Sequence, residues 1–163
     1  MKKSLIRLLV CSLTLISGLS LASVPMSLGW NDLVPAHEQE MIKQASIQFT
    51  LDHSGEAPMQ NTLGSFREEL AGKEVQIPGF VIPLEGDDEK TTQFLLVPYY
   101  GACIHVPPPP TNQIIVVNAP KGVANQGLWD VVSVTGILNI ENTSTEFADA
   151  GYSLSDIQVE PYE

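Results

Sequence analysis

The sequence predicts a mostly β protein: a small, OB-like five-stranded barrel preceded by two short helices. Five short runs rich in β-branched and aromatic residues lie between residues 73 and 160, separated by turn-forming stretches. That rhythm belongs to a small all-β domain. The helix signals all come earlier in the chain. Five short strands after short helices fit a Greek-key barrel of the OB type. A five-stranded sheet packed on the two helices is the competing arrangement.

The chain opens with Met1-Lys2-Lys3 and Arg7, then an uncharged apolar stretch from Leu8 to Leu21, then Ser20-Leu21-Ala22. A positive start, an apolar centre and small residues before a cleavage point are the layout of a secretory signal peptide over residues 1–22. The apolar stretch is shorter than the roughly 20 residues that a membrane-spanning helix needs, so no stable membrane span is expected. An uncleaved anchor is the alternative to cleavage. Residues 23–60 then form an arm of extended and helical pieces, and residues 61–163 the barrel domain.

In the arm, Pro35 opens a polar helix over 36–46, since proline is tolerated in a first helical turn. Residues 51–60 read as a linker. Ser65 and Glu68 match a capping box for a second helix, and Gly72 stands where a left-handed residue ends one. The strand candidates follow: Val75 to Ile82, broken at Pro78-Gly79 as at a bulge or edge, Phe94 to Val97, Ile114 to Val117, Val131 to Ile140 with a kink at Gly136, and Leu154 to Val159.

Charge narrows the partners. The full chain has 19 acidic and 8 basic residues. Removal of residues 1–22 takes Lys2, Lys3 and Arg7 and leaves a net charge of −14. Such a surface repels nucleic acid and anionic membranes and attracts cations. Export to the periplasm of a Gram-negative bacterium would place the protein where cysteines are normally paired. Only Cys103 remains after processing, because Cys11 lies inside the signal segment. A single thiol is either buried and inert, metal-bound, reactive, or bridged to another chain.

Cys103-Ile104-His105 is followed by Val106 and four prolines, Pro107 to Pro110. In an extended backbone, residues two apart share a face, and the prolines stiffen the path. A thiolate and an imidazole so presented suit zinc, or copper as the other soft or borderline ion. Two ligands do not complete a site. The acidic run Glu85, Asp87, Asp88, Glu89 offers Glu85 as a third ligand, although such runs are commonly solvated turns. His37 and His53 read as surface histidines. The bland alternative for Cys103 and His105 is a buried thiol beside a satisfied histidine in a stiff loop. Thiol chemistry would need a lowered Cys103 pKa, and no CxxC, HExxH, phosphate-binding glycine loop or serine elbow accompanies it. Binding is therefore expected rather than catalysis.

Two strings carry a family resemblance. Gly72-Lys73-Glu74-Val75-Gln76-Ile77-Pro78-Gly79-Phe80-Val81-Ile82-Pro83-Leu84-Glu85 is the first. Phe94-Leu95-Leu96-Val97-Pro98-Tyr99-Tyr100-Gly101-Ala102-Cys103-Ile104-His105, continuing through the prolines to Gln113, is the second. With Trp30-Asn31-Asp32-Leu33-Val34-Pro35, they are similar to the DUF3299 family of exported bacterial proteins over about residues 30–140. The family brings no established activity. The resemblance implies a periplasmic accessory role in metal homeostasis, because some members are encoded beside ABC-type transporter components under zinc-responsive control. Zinc is then the leading metal, with Cys103 and His105 as ligands. The rival from the residues is an OB-like recognition module that docks a partner protein or polymer, with Tyr99 and Tyr100 beside the proline segment. A thiol-dependent enzyme is the lesser alternative.

Overall fold

The computed structural model describes residues 24–41, 44, 60–62, 64–104, 106, 108–125 and 131–162. The expected signal segment, His53, His105 and most of the 51–60 linker lie outside them. Among the described residues, six strands run in chain order: β1 (Met26–Ser27), β2 (Glu74–Gly86), β3 (Lys90–Val97), β4 (Ile115–Ala124), β5 (Val131–Ser144) and β6 (Asp149–Pro161).

The five long strands close into a barrel in the order β2–β3–β4–β6–β5, with β5 returning to β2. The β4–β6 pairing is parallel and the other barrel pairings are antiparallel. Counted as barrel strands one to five, this is the OB order, 1-2-3-5-4-1. One strand serves two partners: Glu74 to Phe80 of β2 pair with β5, and Phe80 to Gly86 pair with β3. The break expected at Pro78-Gly79 is absent, and the register runs evenly from Glu74 to Phe80. The irregularity falls instead between Pro83 and Gly86. Gly79 is needed for close approach: a Cβ there would stand 2.8 Å from the Leu96 side chain and 2.9 Å from the Trp30 ring.

Strand alternation divides the apolar residues between two cores. Phe94 and Leu96 of β3 and Ile115 and Val117 of β4 point inward with Val75, Ile77, Val81, Val134, Leu138, Tyr152 and Leu154. Leu95 and Val97, with Ile114 and Val116, point outward into a second cluster. Because both faces of β3 and β4 are buried, these segments read as continuous apolar runs rather than alternating ones.

The arm belongs to the barrel's packing. Leu28 and Leu33 join the inner core, and the Trp30 indole donates to the Pro78 carbonyl at 2.8 Å. Residues 36–41 and 44 are helical, as expected. The second expected helix shrinks to a 3-10 turn at Glu68–Leu70 with no side-chain cap. Its donors are claimed elsewhere: the Ser65 amide donates to the Glu38 carboxylate at 3.0 and 3.1 Å, and the Arg67 amide to the Tyr152 hydroxyl at 2.9 Å. Gly72 ends the turn in the left-handed region as foreseen, at φ 73°.

Candidate functional site

β3 ends at Val97 and β4 starts at Ile115, and the connection between them folds back over the barrel. The outward cluster of Ile82, Leu95, Val97, Ile114 and Val116 is joined by Ala102 of this loop and by Ala148 and Ala150 at the start of β6. Phe80, Leu84, Cys103 and Phe147 pack at its margin. The second and third barrel strands, with the one–two and four–five loops, form the face on which OB barrels take ligands. In this chain Ala102 and Cys103 of the connecting loop pack on that face.

The loop is tied by its own backbone. The Gly101 carbonyl accepts from the Ile104 amide at 3.3 Å and the Val106 amide at 3.2 Å, and the Ala102 amide donates to the Tyr99 carbonyl at 3.4 Å. Cys103 therefore sits in a turn, at φ 65°. The extended backbone expected there, which would have aimed Cys103 and His105 to one side, is not found at Cys103. The tight turn imposed by the Gly101 carbonyl is the reason. At the other end, Gln60 clamps the proline run. Its side-chain amide donates to the Pro109 carbonyl at 3.0 Å and to the Asp149 carbonyl at 2.7 Å, and its oxygen accepts from the Asp149 amide at 2.8 Å.

Burial pushes the half-buried Cys103 thiol up to about 11. Burial also raises the Tyr99 hydroxyl, with the neighbouring Cys103 charge as the second cause. The burial of Cys103 opposes a reactive thiolate. Tyr100 meets Phe80 edge to face, with ring centroids 6.0 Å apart. On the solvent side Tyr99, Tyr100, Ile104 and Val106 remain 41%, 48%, 42% and 41% exposed. Residues 91–120 contain no Asp, Glu, Lys or Arg.

Of the sequence-predicted ligands, Cys103 and Glu85 are not brought together, and His105 lies outside the described residues. Glu85 is exposed and pairs with Gln93, whereas the Cys103 loop departs from Val97, whose partner is Phe80. Five residues of strand, about 16 Å, separate Phe80 from Glu85. Asp87 caps its own turn, accepting from the Glu89 and Lys90 amides at 2.8 Å each, so turn chemistry explains this acidic residue. Among the described residues, no group of three or more His, Cys, Asp or Glu could hold a metal ion. His37 is exposed, with its Nε2 3.5 Å from Glu38 Oε1.

One polar node was missed by sequence reasoning. Glu38, nearly buried, accepts from Ser65 and, at 3.4 Å, from the Asn112 side chain. Asn112 is fully buried and also donates to the Ser65 carbonyl at 3.1 Å, while its Oδ1 has no partner among the described residues. The signal for it was faint: a polar Thr111-Asn112-Gln113 step between the prolines and an apolar strand.

Fold and site together define an OB-type barrel whose usual ligand face carries an apolar cluster that its own connecting loop joins through Ala102 and Cys103. The family model described as "Protein of unknown function (DUF3299)" matches residues 30–161, and the chain belongs to that family. It is similar to the crystal structure of a DUF3299 family protein from Pseudomonas aeruginosa PAO1, with 37% identity, a TM-score of 0.69, and coverage of 86% of this chain and 98% of that one. No curated protein matches the chain.

Proposed function

We propose that this chain is a periplasmic binding module that docks a partner protein through the Tyr99–Val106 loop, and that it is not an enzyme. One observation carries the reading. A single tied turn presents four large apolar side chains to solvent, within a segment free of Asp, Glu, Lys and Arg, on an otherwise acidic molecule. Scattered exposed apolar residues need no explanation, but grouped ones mark interaction sites. The packing of Ala102 and Cys103 on the barrel face supports recognition by the loop rather than by the strands beneath it. The signal-peptide layout at residues 1–22 supports export, and among the described residues no helix is long and apolar enough to cross a membrane. A photo-crosslinking residue at Ile104, used in cells, should trap one envelope protein that the same residue at Asn142 does not. Equal trapping at both positions, or none at Ile104, removes the proposal.

Cys103 favours a second reading. It is held at φ 65°, a strained region for a residue with a side chain, and such strain gathers at functional positions. Here the thiol captures a borderline ion as cargo, zinc first and copper next, with His105 as its neighbour and a carboxylate or water completing the shell. An ABC-type transporter component would be the recipient. Because the thiol must lose its proton to bind, affinity falls with pH. Zinc titration of the reduced protein against Cys103→Ser and His105→Ala tests this. Unchanged affinity in both variants defeats it.

A further inference from the structure

We infer that the segment docked by the Tyr99–Val106 loop is an extended, basic peptide with apolar side chains between its lysines or arginines; this rests on the docking reading above. Charge supplies the first argument. No Lys or Arg lies in the loop or in the adjoining 145–149 turn, and His105 is the loop's one basic residue type. That turn contributes Glu146, exposed, and Asp149, partly exposed. They flank Phe147 and Ala148, which pack on the same outward cluster as Cys103. An apolar ridge with a carboxylate rim attracts cations at its edge and apolar groups at its centre.

Size supplies the second argument. Four side chains exposed by 41–48% offer roughly 300–400 Å² if each presents about 150–250 Å² when free. A standard interface needs about 800 Å² per partner. A second copy seated on this ridge alone is undersized, whereas a few residues of extended chain fit it. Chemistry supplies the third. Ile104 and Val106 have no π-face for a sugar, but they pack well against peptide side chains, and the flanking tyrosines give rigid contact area.

The test uses the full mature chain and three short labelled synthetic peptides, followed by fluorescence anisotropy. The first alternates lysine with valine and phenylalanine. The second has glutamate for lysine. The third has serine for the apolar residues. Only the first should bind well, and its binding should weaken from low to physiological salt. The Ile104→Ser/Val106→Ser double variant keeps every charge and should weaken it about tenfold or more. Glu146→Gln/Asp149→Asn should flatten the salt dependence. Loop-dependent binding of the glutamate peptide, or of the lysine peptide without salt dependence, overturns the inference and leaves docking standing. Lysine-peptide binding that ignores the Ile104/Val106 change, or no binding at all, also overturns it. So does self-association that the double variant abolishes. The crosslink from Ile104 then decides separately whether docking survives.

Discussion

The Tyr152 hydroxyl donates a 2.9 Å hydrogen bond to the Leu33 carbonyl, joining the last barrel strand to the arm that precedes the barrel. The same oxygen accepts from the Arg67 amide at 2.9 Å. The ring is fully buried and meets Phe66 edge to face at 5.3 Å. One phenol thus satisfies two backbone groups outside the sheet, one in the arm and one in the segment that leads into β2. Tyr152→Phe preserves the packing and orphans both groups. It should cost about 1–3 kcal/mol with an unchanged denaturant slope. Urea unfolding measures both. A variant as stable as the parent would show that water satisfies those groups instead.

Glu38 makes stability depend on acid. Hydrogen bonds from Ser65, hydroxyl first and amide second, hold its carboxyl below the usual carboxylate value. Its folded pKa is depressed, so its contribution is complete above the unfolded value of about 4.3 and is lost as pH falls through the lower folded one. Glu38→Gln keeps the shape without the charge. It should lower stability at neutral pH by about 1.5–3 kcal/mol, the range of hydrogen bonds to charged groups. The gap should narrow once the pH drops below the unfolded value. A constant gap across that range would place the effect in packing rather than in the charge.

The barrel was legible because burial and strand period agree. Phe94 to Val97 and Ile114 to Val117 could be read as strands from their runs alone, since both faces are covered. The second helix was misread because Ser65 and Glu68 satisfy a local capping rule that a tertiary contact overrides: Glu38, far back in the chain, takes the Ser65 amide. The site was legible as a segment and not as a geometry. Cys103 was placed by residue type and proline neighbours, but its left-handed turn depends on two amides converging on the Gly101 carbonyl, which no spacing rule reveals. Glu85 joined the ligand list only because an acidic run was nearby in sequence. The strand pairing sets it at the far end of the β2–β3 ladder from the Cys103 loop.

The left-handed conformation of Cys103 predicts an order of stabilities. At φ 65° a β-branched residue is strongly disfavoured and glycine is relaxed. Cys103→Val should therefore be less stable than Cys103→Gly by about 1–2 kcal/mol, the cost of left-handed backbone for a residue with a Cβ, although valine buries more apolar surface. Thermal unfolding of the two variants side by side is the check. The reverse order would mean that the turn relaxes and that packing dominates at this position.

The thiol itself gives the last prediction. Burial pushes Cys103 up to about 11, so the folded state favours the protonated form. The associated stability is complete below the ordinary cysteine value and declines as pH rises towards about 11, because the unfolded chain loses this proton first. Alkylation of the metal-free, reduced protein should accelerate towards an alkaline midpoint and stay slow at neutral pH. Cys103→Ala should lack the part of the alkaline loss of stability that belongs to the thiol, while any part from the raised tyrosines Tyr99 and Tyr152 persists. A midpoint near neutrality would instead mean that a positive group stabilises the thiolate, and the enzyme reading would gain over docking. Zinc offers an internal control. If the ion-capture reading holds, adding it should release a proton and protect the thiol from alkylation even at neutral pH, and His105→Ala should weaken that protection. If zinc leaves the alkylation profile unmoved, Cys103 is a packing residue of the loop against the barrel's outward cluster.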